Sequence, residues 1–203
     1  MTIFRDPAAR LPVGEHPRNI ILPLHDDDID QAVKAVRNPR DRLVPALAAI
    51  HAARPKAIRE LQLDDINLGN RRLTIAGRTR PLDDLTRQMI LDWLDRRRSR
   101  WPDTSNPHLI INQQTAVETG PVSKVWLTGS FRGQAATLER LRVHRQLDEA
   151  LTQGPDPLHL AAVFGLDPKT AIRYAENARA LLVTAAEQQD PAGSREPKGQ
   201  NHP

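Results

Sequence analysis

Apolar positions recur along this chain with two different periods. From Asp83 to Trp101, the residues Leu85, Met89, Ile90, Trp93 and Leu94 fall on one stripe of a 3.6-residue repeat, which predicts a long amphipathic helix. The same period predicts helices over Arg40–Ala53 (Leu43, Val44, Leu47, Ile50) and Thr137–Gln153 (Leu138, Leu141, Leu147, Leu151). Pro45 is placed near the first turn of the former, where proline is tolerated. Gly154-Pro155 stops the latter, and a final helix runs from Pro168 to about Glu187. Shorter helices are expected from Pro55 to Leu61, around Val122–Leu127, and after a cap at Asp26 or Asp27, where Ile29, Ala32, Val33 and Val36 form the stripe. The aspartates beside that cap suit the positive end of the helix dipole.

From Asp65 the period shortens. The segments DINL, RLTIA and TRPL are separated by turns at Gly69-Asn70 and Gly77, which reads as a small antiparallel meander. PHLIIN, Pro107 to Asn112, reads as one more short strand or extended segment. The predicted fold class is therefore mainly α with a three-stranded antiparallel β meander (α+β). Residues 1–21, with Pro7, Pro12 and Pro17, read as an extended leader or linker remnant; residues 22–188 form one domain; residues 189–203, polar and rich in Pro and Gly, form a disordered tail.

Composition narrows the function classes. The chain has 203 residues, of which 39% are apolar and 3% aromatic, so the core is built from Leu, Ile, Val and Ala. With no cysteine there is no disulfide framework and no thiolate metal site. No apolar run approaches the length of a membrane span, and no signal peptide is evident, so a cytoplasmic location is expected. The net charge of +4, the pI near 9.9 and the excess of arginine over lysine favour a polyanionic partner. The run RRRSR at residues 96–100 fits either a solvated helix end or a DNA-backbone contact.

Candidate chemistry gathers in the stretch from Pro155 to Leu182, which holds the only tyrosine, Tyr174. Upstream, AAR54PKAIREL61QLDD65I66 places Arg54 after two small residues, with Leu61, Asp65 and Ile66 following at seven, eleven and twelve positions. E139RLR142 is followed twelve residues on by Gly154, and F164G165LDPKTAIRY174 closes the series. In this order, across about Leu22 to Leu182, the chain resembles the catalytic domain of the tyrosine recombinase, or phage integrase, family.

The resemblance implies DNA as partner and a DNA strand breakage and rejoining reaction with no metal or cofactor. Tyr174 would attack the scissile phosphorus and become linked to the 3′ phosphate, while Arg54 and Arg142 grip the phosphate oxygens. Arg78 and Arg80 fall in the hairpin that carries the family's catalytic lysine, and are expected to hold DNA phosphate; Lys169, Thr170 and Arg173 are expected to contact DNA from the last helix. Four departures stand out. Glu139 occupies a histidine position, Leu166 another, Ala57 replaces a bracing glutamate, and no lysine lies between Lys56 and Lys124. Since losing one preorganised electrostatic group costs on the order of 10²–10³ in rate, a weak or inactive enzyme is expected. The family's N-terminal helical domain has no counterpart in the short leader. That implies weak DNA binding alone, and either a truncated gene product or work with another recombinase subunit.

The same stretch supports other readings. Residues 157–180 fit a helix-turn-helix, with Ala161 four residues before the turn residue Gly165, and with Asp167-Pro168 opening a second helix. Lys169, Thr170 and Arg173 would then face the groove, and Tyr174 would be a packing residue. A third reading is a helical interaction module that docks a partner through Ala171, Ala175, Leu181 and Leu182.

Overall fold

The computed structural model describes residues 38–129, 131 and 136–189. The helix expected after Asp26-Asp27, the leader 1–21 and residues 190–203 of the tail lie outside them.

Helix α1, Pro39–Ala49, begins where the Asn38 side chain accepts the Arg40 N–H at 3.2 Å, with Pro39 at the first helical position. It stops four residues earlier than the apolar pattern suggests, because Ala52 takes a positive φ of 51° and turns the chain. Pro45 consequently lies in the helix interior rather than its first turn. Helix α2, Pro55–Glu60, follows with Arg54 as its N-cap residue. The meander comprises β1 (Ile66–Asn67), β2 (Arg72–Ile75) and β3 (Arg78–Pro81), antiparallel in that order, with Leu73 opposite Arg80 and Ile75 opposite Arg78. Alternation along β2 buries Leu73 and Ile75 and leaves Arg72 outside.

Helix α3, Asp84–Arg100, is capped by Asp83, whose carboxylate accepts the Thr86 N–H at 2.8 Å. Its inner face differs from the apolar stripe in two places. Leu85 is 56% exposed, whereas Thr86 and Arg97 are buried with Ile90, Trp93 and Leu94. Thr86 is drawn inward by His51, whose ring nitrogen lies 3.2 Å from its hydroxyl. Arg97, inside the basic run, donates to the Asn106 carbonyl, so that run is part solvated end and part internal brace. The extended segment Pro107–Asn112 does not join the meander. It pairs with the end of α2, through Leu109 N–H to Leu61 O at 2.7 Å and Leu63 N–H to Pro107 O at 2.9 Å. Leu109, Ile110 and Ile111 are all buried.

Helix α4 spans Lys124–Gly129, α5 Leu138–Gln153, α6 Pro157–Phe164 and α7 Pro168–Gln189. Thr137 caps α5, and Gly154 ends it at a φ of 100°. Two hydrophobic cores result. The first packs α1, α2, the meander, α3 and the segment 109–111 around Trp93. The second joins α5, α6 and α7 through Leu147, Ala150, Leu160, Leu166, Ala171, Tyr174, Ala175 and Ala178. Helix α5 serves both: Leu138 and Leu141 enter the first, Leu147 and Ala150 the second. Arg142 and Gln146, both buried, therefore stand at the join. No helix among the described residues is long and apolar enough to cross a membrane.

Candidate functional site

The join between the cores gathers the residues singled out by the chain's local pattern. Arg142 on α5 is 7% exposed and fully engaged. Its Nε donates to both Glu139 oxygens at 3.2 Å, its Nη2 also donates to Glu139, and its Nη1 donates to Gln146 Oε1 at 2.9 Å. One turn before and one turn after Arg142 on the same helix face, Glu139 and Gln146 are its natural neighbours. The Tyr174 side chain from α7 is near enough to act on the charge of the same guanidinium. Burial works to lower the Arg142 pKa, but the Glu139 carboxylate, aided by Tyr174, outweighs it and raises the value. Conversely, hydrogen bonding from Arg142 holds Glu139 below the usual carboxyl range against the opposing effect of burial, and the charges of Arg142 and Arg54 add to that.

Arg54 completes the cluster from the other core. As the N-cap residue of α2 it has an extended backbone and an exposed side chain, and its charge acts on both Glu139 and Asp167. Asp167 caps α7, accepting the Thr170 N–H at 3.0 Å. Arg54 and Arg142, far apart in sequence, thus both act on the Glu139 carboxylate, and Tyr174 acts on Arg142. Tyr174 is only 1% exposed and is part of the second core. Arg173, its exposed neighbour, places its guanidinium 5.6 Å from the Tyr174 ring centroid.

Both hairpin arginines are held by backbone carbonyls, Arg78 while exposed and Arg80 while half-buried. Arg80 donates to the His51 carbonyl at 2.6 Å, and Arg78 donates to the Ala162 carbonyl of α6 at 3.0 Å. Gly165, at a φ of 65°, is where Arg78 passes: a Cβ there would lie 2.5 Å from its Cζ. A side chain at this turn is disfavoured by the left-handed backbone and would have to displace the Arg78 guanidinium. Lys169 and Arg173 are exposed on the first turns of α7, and Thr170 is half-buried beside its cap.

Sequence reasoning missed the two partners that decide the state of Arg142. From the sequence Glu139 stands only as a departure at a histidine position, although its three-residue spacing from Arg142 marks an ion pair on a helix. Gln146 carried the same signal at four residues. The strut from Arg78 to the Gly165 turn had no local signal.

Comparison with protein-family models finds no match, and neither does comparison with curated proteins. Solved structures do match. The chain is similar to the XerA recombinase (17% identity, TM-score 0.63), covering 84% of this chain and 66% of that one. It is similar to the XerH site-specific recombinase in a post-cleavage complex with palindromic difH substrate (15%, 0.64), covering 84% and 54%. The Tn1549 transposon integrase, in complex with transposon right end DNA, matches at 14% and 0.56, covering 87% and 69%. The fold is that of a tyrosine recombinase catalytic domain: mostly helical, with the three-stranded antiparallel sheet in its place. The chain spans between about half and two thirds of the length of these structures.

Proposed function

We propose that this protein binds DNA on the face where Arg54, Arg142 and Tyr174 meet, and that in the arrangement described its strand-breaking chemistry is closed off. The observation that carries this reading is the Tyr174 side chain beside the Arg142 guanidinium, with Glu139 occupying that guanidinium. A phosphate-gripping arginine next to a tyrosine hydroxyl is the pairing a phosphoryl transfer to tyrosine requires. Yet the carboxylate takes the place a phosphate oxygen would need, and the hydroxyl is shut from solvent. For cleavage, Glu139 has to yield Arg142 and Tyr174 has to leave its core. The Tyr174 oxygen would then bond to phosphorus as the bond to the 5′ oxygen breaks. The proton lost from the hydroxyl must leave the site, and the departing oxygen must gain one. No lysine of the hairpin supplies that last step, and an arginine such as Arg80 is a poor acid. Weak or absent cleavage follows.

The similar proteins supply context: the XerH structure holds its palindromic difH substrate, and the Tn1549 integrase structure holds transposon right end DNA. Incubation with a nicked DNA duplex tests the chemistry. A covalent adduct that disappears in Tyr174→Phe establishes the nucleophile; its absence at every protein concentration and pH leaves a binding protein.

A second reading keeps support from one observation. Tyr174 is buried as a packing residue while Lys169 and Arg173 are exposed at the start of α7, as a helix-turn-helix would have it. Against that, Arg78 ties the turn at Gly165 to the meander, so the pair α6–α7 is docked rather than free-standing. Lys169→Ala with Arg173→Ala discriminates: loss of base-sequence preference with Arg54→Ala neutral would favour the helix-turn-helix. The reading as a partner-docking helix loses two of its residues, since Ala171 and Ala175 are fully buried in the second core.

A further inference from the structure

We infer that three cations flanking the start of α2, Lys124, Arg54 and Lys56, form the track that grips the DNA backbone, in place of the hairpin arginines Arg78 and Arg80, which already donate to backbone carbonyls. The inference rests on the DNA-binding reading above and names the residues that would carry it.

Sorting the cations near the site by what already holds them leads to this track. Arg142 is held by Glu139 and Gln146, Arg78 by the Ala162 carbonyl, Arg80 by the His51 carbonyl, and Arg59 lies 3.6 Å from Glu60. A guanidinium whose donors are satisfied inside the protein has to break those bonds before it can serve a phosphate. Around the start of α2, Arg54, Lys56 and Lys124 are different. All three are exposed, and none has a side-chain hydrogen bond or ion pair with another described residue, although the Arg54 charge acts on Glu139 and Asp167.

Their placement is continuous. Arg54 and Lys56 line a cleft of about 360 Å³ whose far wall is the hairpin turn Ala76-Gly77. Lys124, on the first turn of α4, lines a neighbouring cleft of about 390 Å³ with Pro55, Thr137 and Glu139. Helices α2 and α4 pack together, so the start of α2 is the ridge shared by both clefts. The acidic groups alongside are already committed. Glu139 is paired with Arg142, and Asp65 accepts the Gln62 N–H at 2.8 Å. Three cations with no hydrogen-bonded partner among the described residues therefore run across a ridge that leads to Glu139. An exposed, unpaired cation is what counterion release rewards, since a neutralised phosphate gives up its condensed ion. Duplex DNA is the occupant that supplies phosphates in a row.

The test is the salt dependence of binding, measured by anisotropy with a fluorescent duplex over a range of salt concentrations. Each lost phosphate contact lowers the slope of log K against log[salt] by about 0.9. The double variant Lys56→Ala, Lys124→Ala is expected to lower the slope by about 2 while far-ultraviolet circular dichroism stays unchanged. The pair Arg96→Ala, Arg98→Ala removes equal charge from the exposed end of α3 and is expected to leave the slope nearly intact. Equal losses in both pairs, or a loss only in the α3 pair, would overturn the track while leaving DNA binding standing. Wild-type protein with no salt-dependent binding would overturn the DNA reading as well.

Discussion

The two cores of this molecule are built on different terms. The first is filled by bulky side chains, Trp93, Leu43, Leu47, Ile58, Leu73, Ile90 and Ile110, all of them closed to solvent. The second is lined by alanines, Ala150, Ala171, Ala175 and Ala178, with three leucines, and Tyr174 is its largest buried side chain. Apolar burial contributes roughly 0.8 kcal/mol per CH₂ group, so alanines bring helices close without adding much stability. What holds α6 and α7 is in large part polar: Arg78 to Ala162 O, Arg179 to Pro155 O at 2.8 Å, His159 Nε2 to Glu149 Oε1 at 2.8 Å, and Arg142 beside Tyr174. The candidate nucleophile is therefore also the main filler of the weaker core. Freeing it for chemistry and keeping α7 docked are opposing demands.

That contrast can be broken most forcefully in the first core. Trp93→Ala removes a buried ring and its bond to the Leu109 carbonyl, with an expected cost of about 3–5 kcal/mol. Set against a total stability of roughly 5–15 kcal/mol, this should lower the urea midpoint sharply and melt both regions together. Tyr174→Ala tests the second core. Its cost, on the order of 3 kcal/mol, should fall on α6 and α7 alone. Hydrogen exchange should quicken there while α3 stays protected, and global loss of protection would show that the cores are one unit. Tyr174→Phe, which removes only the hydroxyl, should cost about 1 kcal/mol.

Gly165→Ala probes the strut. The positive φ alone costs on the order of 1 kcal/mol for a side chain, and displacement of Arg78 adds to it. Arg78→Ala in the same chain should relieve the steric part, so the double variant is expected to be less destabilised than the two single effects added together. Simple additivity in thermal melts would mean that the guanidinium does not brace the turn. The smallest effect is that of pH on Glu139. Its folded pKa lies below the ordinary carboxyl value, so its ion pair contributes in full above that value and fades as pH falls through the lowered one. Stability should therefore be flat around neutral pH and decline in the acid range. Glu139→Gln should flatten part of that decline and, if the carboxylate blocks Arg142, raise affinity for DNA at neutral pH.

Much of the fold was legible because it depends on near neighbours. The meander followed from alternation and two turns, and the long helix α3 from its stripe. Helix α5 followed from Thr137 at one end and Gly154 at the other. The register of Arg54, Arg142 and Tyr174 was also readable, and in the fold the charges of Arg54 and Arg142 both act on Glu139. The errors were local overrides by distant residues. Leu85 faces water because Thr86 is claimed by His51, 35 residues away. Arg97 is buried because the Asn106 carbonyl needs a donor.

By itself, then, the sequence determined the elements, their order and the candidate triplet, since capping, turn chemistry and periodicity act within a few residues. Only the tertiary structure decided the state of each charged group. A long arginine side chain takes whichever acceptor folding brings near, such as the Ala162 carbonyl 84 residues from Arg78. For the same reason, only the packing of α7 on α5 made Tyr174 a core residue and set it beside an arginine already occupied by Glu139.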